Sequence, residues 1–320
     1  MAGLRSLAVP EDYSWAGPAH KRLQRRSPDK LIGTGHRAAG IRLRQGDVNG
    51  WCELKDEKEE LHPSREQQHV ARQKEWMEQA LAAGPREHTV ATDAMTRYLV
   101  RWRLKEALQR LLQADEDITC ASSVLVLCAA EGYEGSVLMD MGLLDVTVSD
   151  LSEAVAGVAV RRDPRLKARV LNAEETGLPA LSFDIVVIQD GLHHLQRPVQ
   201  GFTEMLRIAS RAVIFLEPHD SIVGRLIGTK WETNGPAVNY VFRWTKRLVQ
   251  DISCSYLGRN TFQNLSFSFW HHNVVLARVG QRLGGAAFAI TCIRAVKAGM
   301  DLLLPAMGNQ FCGLVIKERE

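Results

Sequence analysis

Val124-Leu125-Val126-Leu127-Cys128-Ala129-Ala130-Glu131-Gly132-Tyr133-Glu134-Gly135 decides how this chain folds. Four apolar residues run straight into tiny ones, the pattern of a buried strand that turns sharply into a helix. Small side chains at Ala129, Ala130, Gly132 and Gly135 leave room for a ligand to approach the backbone. Val146-Thr147-Val148-Ser149-Asp150 then reads as a second strand ending in a carboxylate. An acid at the end of the second strand, about 20 residues beyond the turn, is placed to accept hydrogen bonds from ribose hydroxyls. The unit therefore predicts a bound ligand containing adenosine.

The reading extends downstream. Ala168-Arg169-Val170-Leu171 is a third strand, followed by Asn172-Ala173-Glu174-Glu175-Thr176-Gly177-Leu178-Pro179. Phe183-Asp184-Ile185-Val186-Val187-Ile188 is a fourth, running into Gln189-Asp190-Gly191-Leu192-His193-His194-Leu195-Gln196-Arg197-Pro198. With these stretches in place the chain resembles the class I S-adenosylmethionine-dependent methyltransferases of the type 11 kind. That family carries a glycine-rich loop after the first strand, an acid ending the second, and an L-H-H-L-x-x-P loop after the fourth. The match is close in the last part and loose in the first, and it covers roughly 120–320.

The resemblance implies a role for each matching position. The loop containing Ala130, Glu131, Gly132 and Gly135 would pass under the methionine part and the ribose. Asp150 would hold the ribose hydroxyls and Leu151 would pack on the adenine. Asn172 would face the adenine amino group, with the Ala173 backbone N–H near a ring nitrogen. Gln189 and Asp190 would lie beside the methionine and sulfonium. The chain departs from the family at Val126, where an acid is usual, at Cys128 and Ala130, where glycines are usual, and at Asn172, where an acid is usual. Asparagine still accepts through its carbonyl, and Glu131 is the expected substitute for the charge missing at Val126. A nicotinamide-dependent dehydrogenase fits less well, because the tight G-x-G-x-x-G turn is absent.

The fold class implied is α/β, a Rossmann-like doubly wound, mostly parallel sheet. An antiparallel C-terminal edge strand is expected from 311–317, paired with Gln263–Trp270, together with an N-terminal helical extension. Three regions are expected: an irregular basic arm over 1–62, helices forming a lid over 63–118, and the methyltransferase-like domain over 119–320. Ser64 and Gln67 make a capping box that opens a helix reaching about Ala83. Met95, Leu99, Trp102, Leu108, Leu111 and Leu112 mark a second helix over roughly 91–113. The stretch 221–240 reads as loop, inserted near the substrate.

A net charge of +3 is too small to argue for nucleic acid. The basic excess is local, with Lys21, Arg22, Arg25, Arg26 and Lys30 in the N-terminal arm, and reads as a solvated segment. Six cysteines form no C-x-x-C pair, which points to a reducing compartment and a cytoplasmic protein. Met1–Pro10 lacks the apolar core of a secretory signal. The apolar stretch 286–304 carries Arg294, Lys297 and Asp301, which argue for an amphipathic helix over a membrane span. Peripheral lipid contact is the sharper reading of that surface. The sequence carries no signal for an oligomeric state.

Methyl transfer to oxygen gains from a general base, and histidine suits that role near neutral pH. His193, His194 and His219 stand at strand carboxyl ends and are the catalytic candidates, with Tyr240 and Arg243 as candidate substrate-binding residues. Two H-H pairs, 193–194 and 271–272, raise metal binding, but adjacent residues chelate poorly and no metal is expected. The function read from these features is S-adenosylmethionine-dependent O-methylation of a sugar, glycan or natural-product hydroxyl. Two alternatives stand beside it. One is a methyltransferase-like binding partner that no longer turns over; the other acts on nitrogen or on a lipid.

Overall fold

The computed structural model of the chain describes residues 64–83, 94–271 and 286–318. The expected arm over 1–62, the Gly84-Pro85 helix stop and His272 lie outside the described residues.

Two helices come first, α1 (Arg65–Ala82) and α2 (Ala94–Ala114). The capping box forms as the sequence predicts: Gln67 N–H donates to the Ser64 hydroxyl, and Ser64 N–H donates to the Gln67 side chain. Strands β1 (Ser123–Leu127), β2 (Asp145–Asp150), β3 (Lys167–Val170) and β4 (Phe183–Gln189) follow, with α3 (Tyr133–Asp140) and α4 (Glu153–Arg162) between the first three. A loop, not a helix, joins β3 to β4. Next come α5 (Pro198–Ile208) and β5 (Ala209–Pro218). The 221–240 insertion is more ordered than its composition suggests: it forms helix α6 (Ile222–Ile227) and a hairpin, β6 (Trp231–Asn234) with β7 (Ala237–Tyr240). Helix α7 (Lys246–Leu257), strands β8 (Phe262–Asn264) and β9 (Phe267–Phe269), helix α8 (Ala286–Leu303) and strand β10 (Gln310–Lys317) complete the described chain.

The sheet runs β3-β2-β1-β4-β5-β10-β8, with β1 to β5 parallel and β10 antiparallel to β5. The C-terminal strand is antiparallel as expected, but it lies one position inside the edge, which β8 and β9 form by both pairing with β10. The expected single strand Gln263–Trp270 is split at Leu265-Ser266, where the Ser266 hydroxyl accepts from Leu314 N–H. Among the described residues no helix is long and apolar enough to cross a membrane.

Both faces of the sheet are covered at its centre, which is why β1 and the middles of β4 and β5 read as apolar runs, while β3 at the edge is largely exposed. Val124, Val126, Ile185, Val187, Ile214 and Leu216 pack toward α2 and α3. Leu125, Leu127, Val186, Ile188, Val213 and Phe215 pack toward α5 and α7, around Phe202 and the fully buried Trp244. Gly313 on β10 is fixed by this layer: a Cβ there would stand 2.0 Å from Cε1 of Phe215. Gly313→Ala is therefore expected to cost about 1–3 kcal/mol through overpacking, read as a lowered urea midpoint. Adding Phe215→Leu should recover part of that loss; if the two changes simply add, the collision is not the cause.

The strand order reverses between β1 and β4, and open α/β sheets bind ligands outside the carboxyl ends of the strands at such a switch point.

Candidate functional site

The turn leaving β1 keeps the backbone that glycine normally provides, without the glycines. Cys128 and Ala130 have φ of 51° and 44°, and Asp190 at the end of β4 has 49°. Left-handed backbone at a residue with a Cβ costs roughly 1–2 kcal/mol, and such strain gathers at ligand sites. Gly132 and Gly135 are packed closely against protein. A Cβ at Gly132 would stand 2.5 Å from that of Ala159, and one at Gly135 would stand 2.4 Å from Cγ1 of Val148, so both seat α3 against its protein neighbours.

Asp150 sits at the end of β2 as the sequence places it, nearly buried. Its carboxylate accepts from Ala130 N–H at 3.1 Å and Ser152 N–H at 3.4 Å, which aligns the β1 turn with the β2 end. Burial raises its pKa, and the backbone donors of Ser152, Ala130 and Leu151 pull the other way. Leu151 is half-buried beside it. Asn172 closes a local turn by accepting from Glu174 N–H at 3.0 Å, and Ala173 is buried behind it. Burial also raises the Cys128 thiol, keeping it neutral. Glu131 is turned outward and paired with Arg162 at 2.7 Å. The carboxylate that feels the charges of Asp190 and Arg103 is Glu134, raised to about 7 by burial, with Asp190 adding to the shift and Arg103 opposing it.

Arg103 of α2 is a residue the sequence reading missed. It is buried, it pairs with Asp190 at 2.7 Å, and its Nε has no partner. The Oε1 of buried Gln189, next along β4, has none either. An orphaned donor and an orphaned acceptor thus stand together at the carboxyl end of β4. Each would cost about 1–3 kcal/mol if left unsatisfied.

A second cluster begins one turn later. Glu217, at the end of β5 and wholly buried, accepts from Gly191 N–H (2.8 Å), Leu192 N–H (2.6 Å) and His193 Nδ1–H (2.6 Å). Nε2 of His193 points to Glu232 of the hairpin at 3.2 Å. Burial opposes a charge on His193, but the two carboxylates overcome it and raise the imidazole to about 10. Glu232 is held at about 2, first by its hydrogen bond to His193. His194 is the opposite case, lowered to about 4 by burial and by the charge on His193. Its partners fix the tautomer: Gln73 donates to Asn239 Oδ1 at 2.6 Å, and Asn239 Nδ2 donates to His194 Nδ1 at 3.0 Å. The proton of neutral His194 therefore lies on Nε2.

His193, His194 and Glu232 present ligand-type atoms within 4.8 Å of one another. The Nε2 atoms of His193 and His194 stand 3.2 and 3.9 Å from the Glu232 carboxylate. Helix α1 bridges both clusters. Its Glu78 accepts from the Ser152 hydroxyl at 2.9 Å, His69 Nε2 donates to the His194 carbonyl at 2.8 Å, and Trp76 stacks on the His194 ring.

The other candidates are placed elsewhere. His219 Nδ1 donates to the Gly308 carbonyl at 2.7 Å and the ring stacks on Phe311. Its neighbours along the chain are engaged by others, Glu217 with His193 and Asp220 with Arg225. Arg243 donates to the Val241 and Thr229 carbonyls, holding the base of the hairpin. Tyr240 is exposed and packs edge-on against Trp231.

Residues 125–216 match the family described as "Methyltransferase domain". That match spans under a third of the chain, and over it the sequence is similar to methyltransferase domains. The chain is similar in fold to the plantazolicin methyltransferase BamL, solved with a triazolic desmethylPZN analog and SAH. Identity is 13%, the TM-score is 0.50, and the match covers 79% of this chain and 97% of that one. It is also similar to magnesium protoporphyrin IX methyltransferase (ChlM) from Synechocystis PCC 6803, with 12% identity, TM-score 0.48, and coverage of 78% of this chain and all 100% of that one. A third similar structure is the [4+2]-cyclase SpnF, with 12% identity, TM-score 0.44, and coverage of 68% and 82%. No curated protein sequence matches the chain.

Proposed function

We propose that the chain binds S-adenosylmethionine at the β1–β2–β4 cleft and methylates a hydroxyl acceptor, with sugars, glycans and natural-product hydroxyls as the first candidates. The observation that carries this reading is the Glu217–His193 pair beyond the carboxyl ends of β4 and β5, the sheet end that also holds the unpaired Gln189 Oε1. Asp150 would take the ribose hydroxyls, while Leu151, Asn172 and Ala173 would line the adenine side. The amino-acid end would meet Arg103 Nε and Gln189 Oε1, a donor for a carboxylate and an acceptor for an ammonium group. Glu134 would supply the negative charge missing at Val126. When bound, the cofactor supplies an electrophilic methyl group on a sulfonium.

The chain's own part is to align the acceptor oxygen and remove its proton. Glu217 fixes the His193 ring through Nδ1, which aims Nε2 at the acceptor side, the arrangement that makes a histidine a directed base. Glu232 now occupies that nitrogen and keeps it protonated. The acceptor hydroxyl would take the place of Glu232, leaving His193 with one carboxylate and a lower pKa. Glu232→Gln is therefore expected to move the His193 titration midpoint, about 10 with both carboxylates, toward neutrality. Histidine Cε1–H resonances followed across pH would show it. An unchanged midpoint would remove His193 from the base role.

The function itself is tested by calorimetry with S-adenosylhomocysteine, then by methyl transfer from labelled donor to a panel of hydroxyl compounds. His193→Ala should abolish transfer and leave S-adenosylhomocysteine binding intact. Transfer surviving in that variant would move the acceptor to nitrogen, where an unprotonated amine attacks unaided.

A further inference from the structure

The insertion after β5 leaves its largest apolar side chains in solvent. Leu226 and Ile227 of α6 are 79% and 65% exposed, and Leu302 and Leu303 at the end of α8 are 70% and 76% exposed. These two groups sit on segments that are joined to each other. The Ser221 hydroxyl that caps α6 also donates to the Met307 carbonyl, and His219 N–H donates to the Asn309 carbonyl, tying α6 to the segment that directly follows α8. On the hairpin, Trp231 and Tyr240 pack edge to face at 5.3 Å and stay about half exposed. Isolated apolar residues on a surface are ordinary, but a contiguous set bordering a site marks an interaction face.

We infer that this face docks on a lipid bilayer bearing anionic headgroups. Charge decides between that occupant and a second copy of the chain. Asp220 is held by Arg225, Asp301 by Lys297, and Glu232 is turned inward onto His193. Lys230, between α6 and the hairpin, and Arg294 of α8 are exposed, and among the described residues no ion pair holds either. A two-fold dimer would set this patch against itself, placing like charges together. Apolar side chains, a Trp–Tyr pair and basic residues together suit the headgroup boundary of an anionic bilayer. The hairpin that carries Trp231 also carries Glu232 onto His193. A docked enzyme would thus receive an amphiphilic acceptor directly from the lipid, a corollary that rests on the reading of that site under the proposed function.

The test is cosedimentation of the full chain with phosphatidylcholine vesicles, with and without phosphatidylglycerol, at low and high salt. Binding is expected only with the anionic lipid, weakening as salt rises. Leu226→Asp and Leu303→Asp should each reduce it about tenfold or more. Titration of both variants with S-adenosylhomocysteine should match the parent chain, which separates loss of docking from loss of fold or cofactor site. A chain that stays in the supernatant overturns the inference. So does binding that both variants retain, or a concentration-dependent dimer that the same substitutions dissolve. If vesicle binding holds while S-adenosylhomocysteine fails to bind the parent chain, the docking face stands and the methyltransferase reading falls.

Discussion

Glu217→Ala is expected to destabilise the chain by about 3–5 kcal/mol at neutral pH, the cost of removing one partner from a buried ion pair. The carboxylate is wholly buried, and among the described residues it is the acceptor for the amides of Gly191 and Leu192 and the Nδ1–H of His193. Alanine leaves two backbone donors and an imidazolium without an acceptor. Glu217→Gln separates these terms. Its carbonyl can still accept from both amides, but its NH₂ would face Nδ1 and favour a neutral His193. The sign of the pH dependence follows from the raised pKa. Stability gained from charged His193 is fully present below its ordinary value of 6.5 and is lost as pH rises through about 10. The deficit of Glu217→Gln relative to the parent chain should therefore be largest in mild acid and fade in alkali. Urea unfolding of the three proteins at both ends of that range measures it. A deficit that grew with pH would mean that His193 is not held as a cation.

The sequence showed the central sheet because β1 and the middles of β4 and β5 are buried on both faces and read as apolar runs, while β2 sets Val146 and Val148 between small polar residues. Asp150 and the His193-His194 loop were legible for a related reason: they stand at strand ends, where the chain must turn and where ligands bind. What escaped was assembled over long separations. Arg103 meets Asp190 from 87 residues away, and Gln73 meets Asn239 from 166 away. No local pattern announces either. Glu232 was hidden in a stretch whose Gly, Asn and Pro content reads as loop. The alternation Trp231, Thr233 and then Val238, Tyr240 around Gly235-Pro236 was its only hairpin signal. At the β1 turn the sequence showed that glycines were missing, but not that Cys128 and Ala130 would hold the left-handed backbone regardless. That conformation is a property of the surrounding fold, which imposes it.

Asp150→Ala should weaken S-adenosylhomocysteine binding about a hundredfold or more, near 3 kcal/mol, because two hydroxyl hydrogen bonds to one carboxylate are lost. The same change should not lower stability at neutral pH. Burial raises the pKa of Asp150 in the folded chain, so its charged form is penalised there. For an acid raised on folding, the favourable contribution is present below the unfolded pKa and is lost as pH climbs through the folded one. At pH 7 the carboxylate is thus kept at a cost to the fold. Its two backbone donors, Ala130 and Ser152, lie at the cleft, and the first would be freed for water. Binding measured by calorimetry and melting temperature measured on the same samples should part company, with affinity falling and the melting temperature level or higher. A fall in both would make Asp150 a structural brace of the β1 turn. Affinity that survived the change would mean that no ribose is held at the end of β2, and the nucleoside reading of the whole cleft would fail with it.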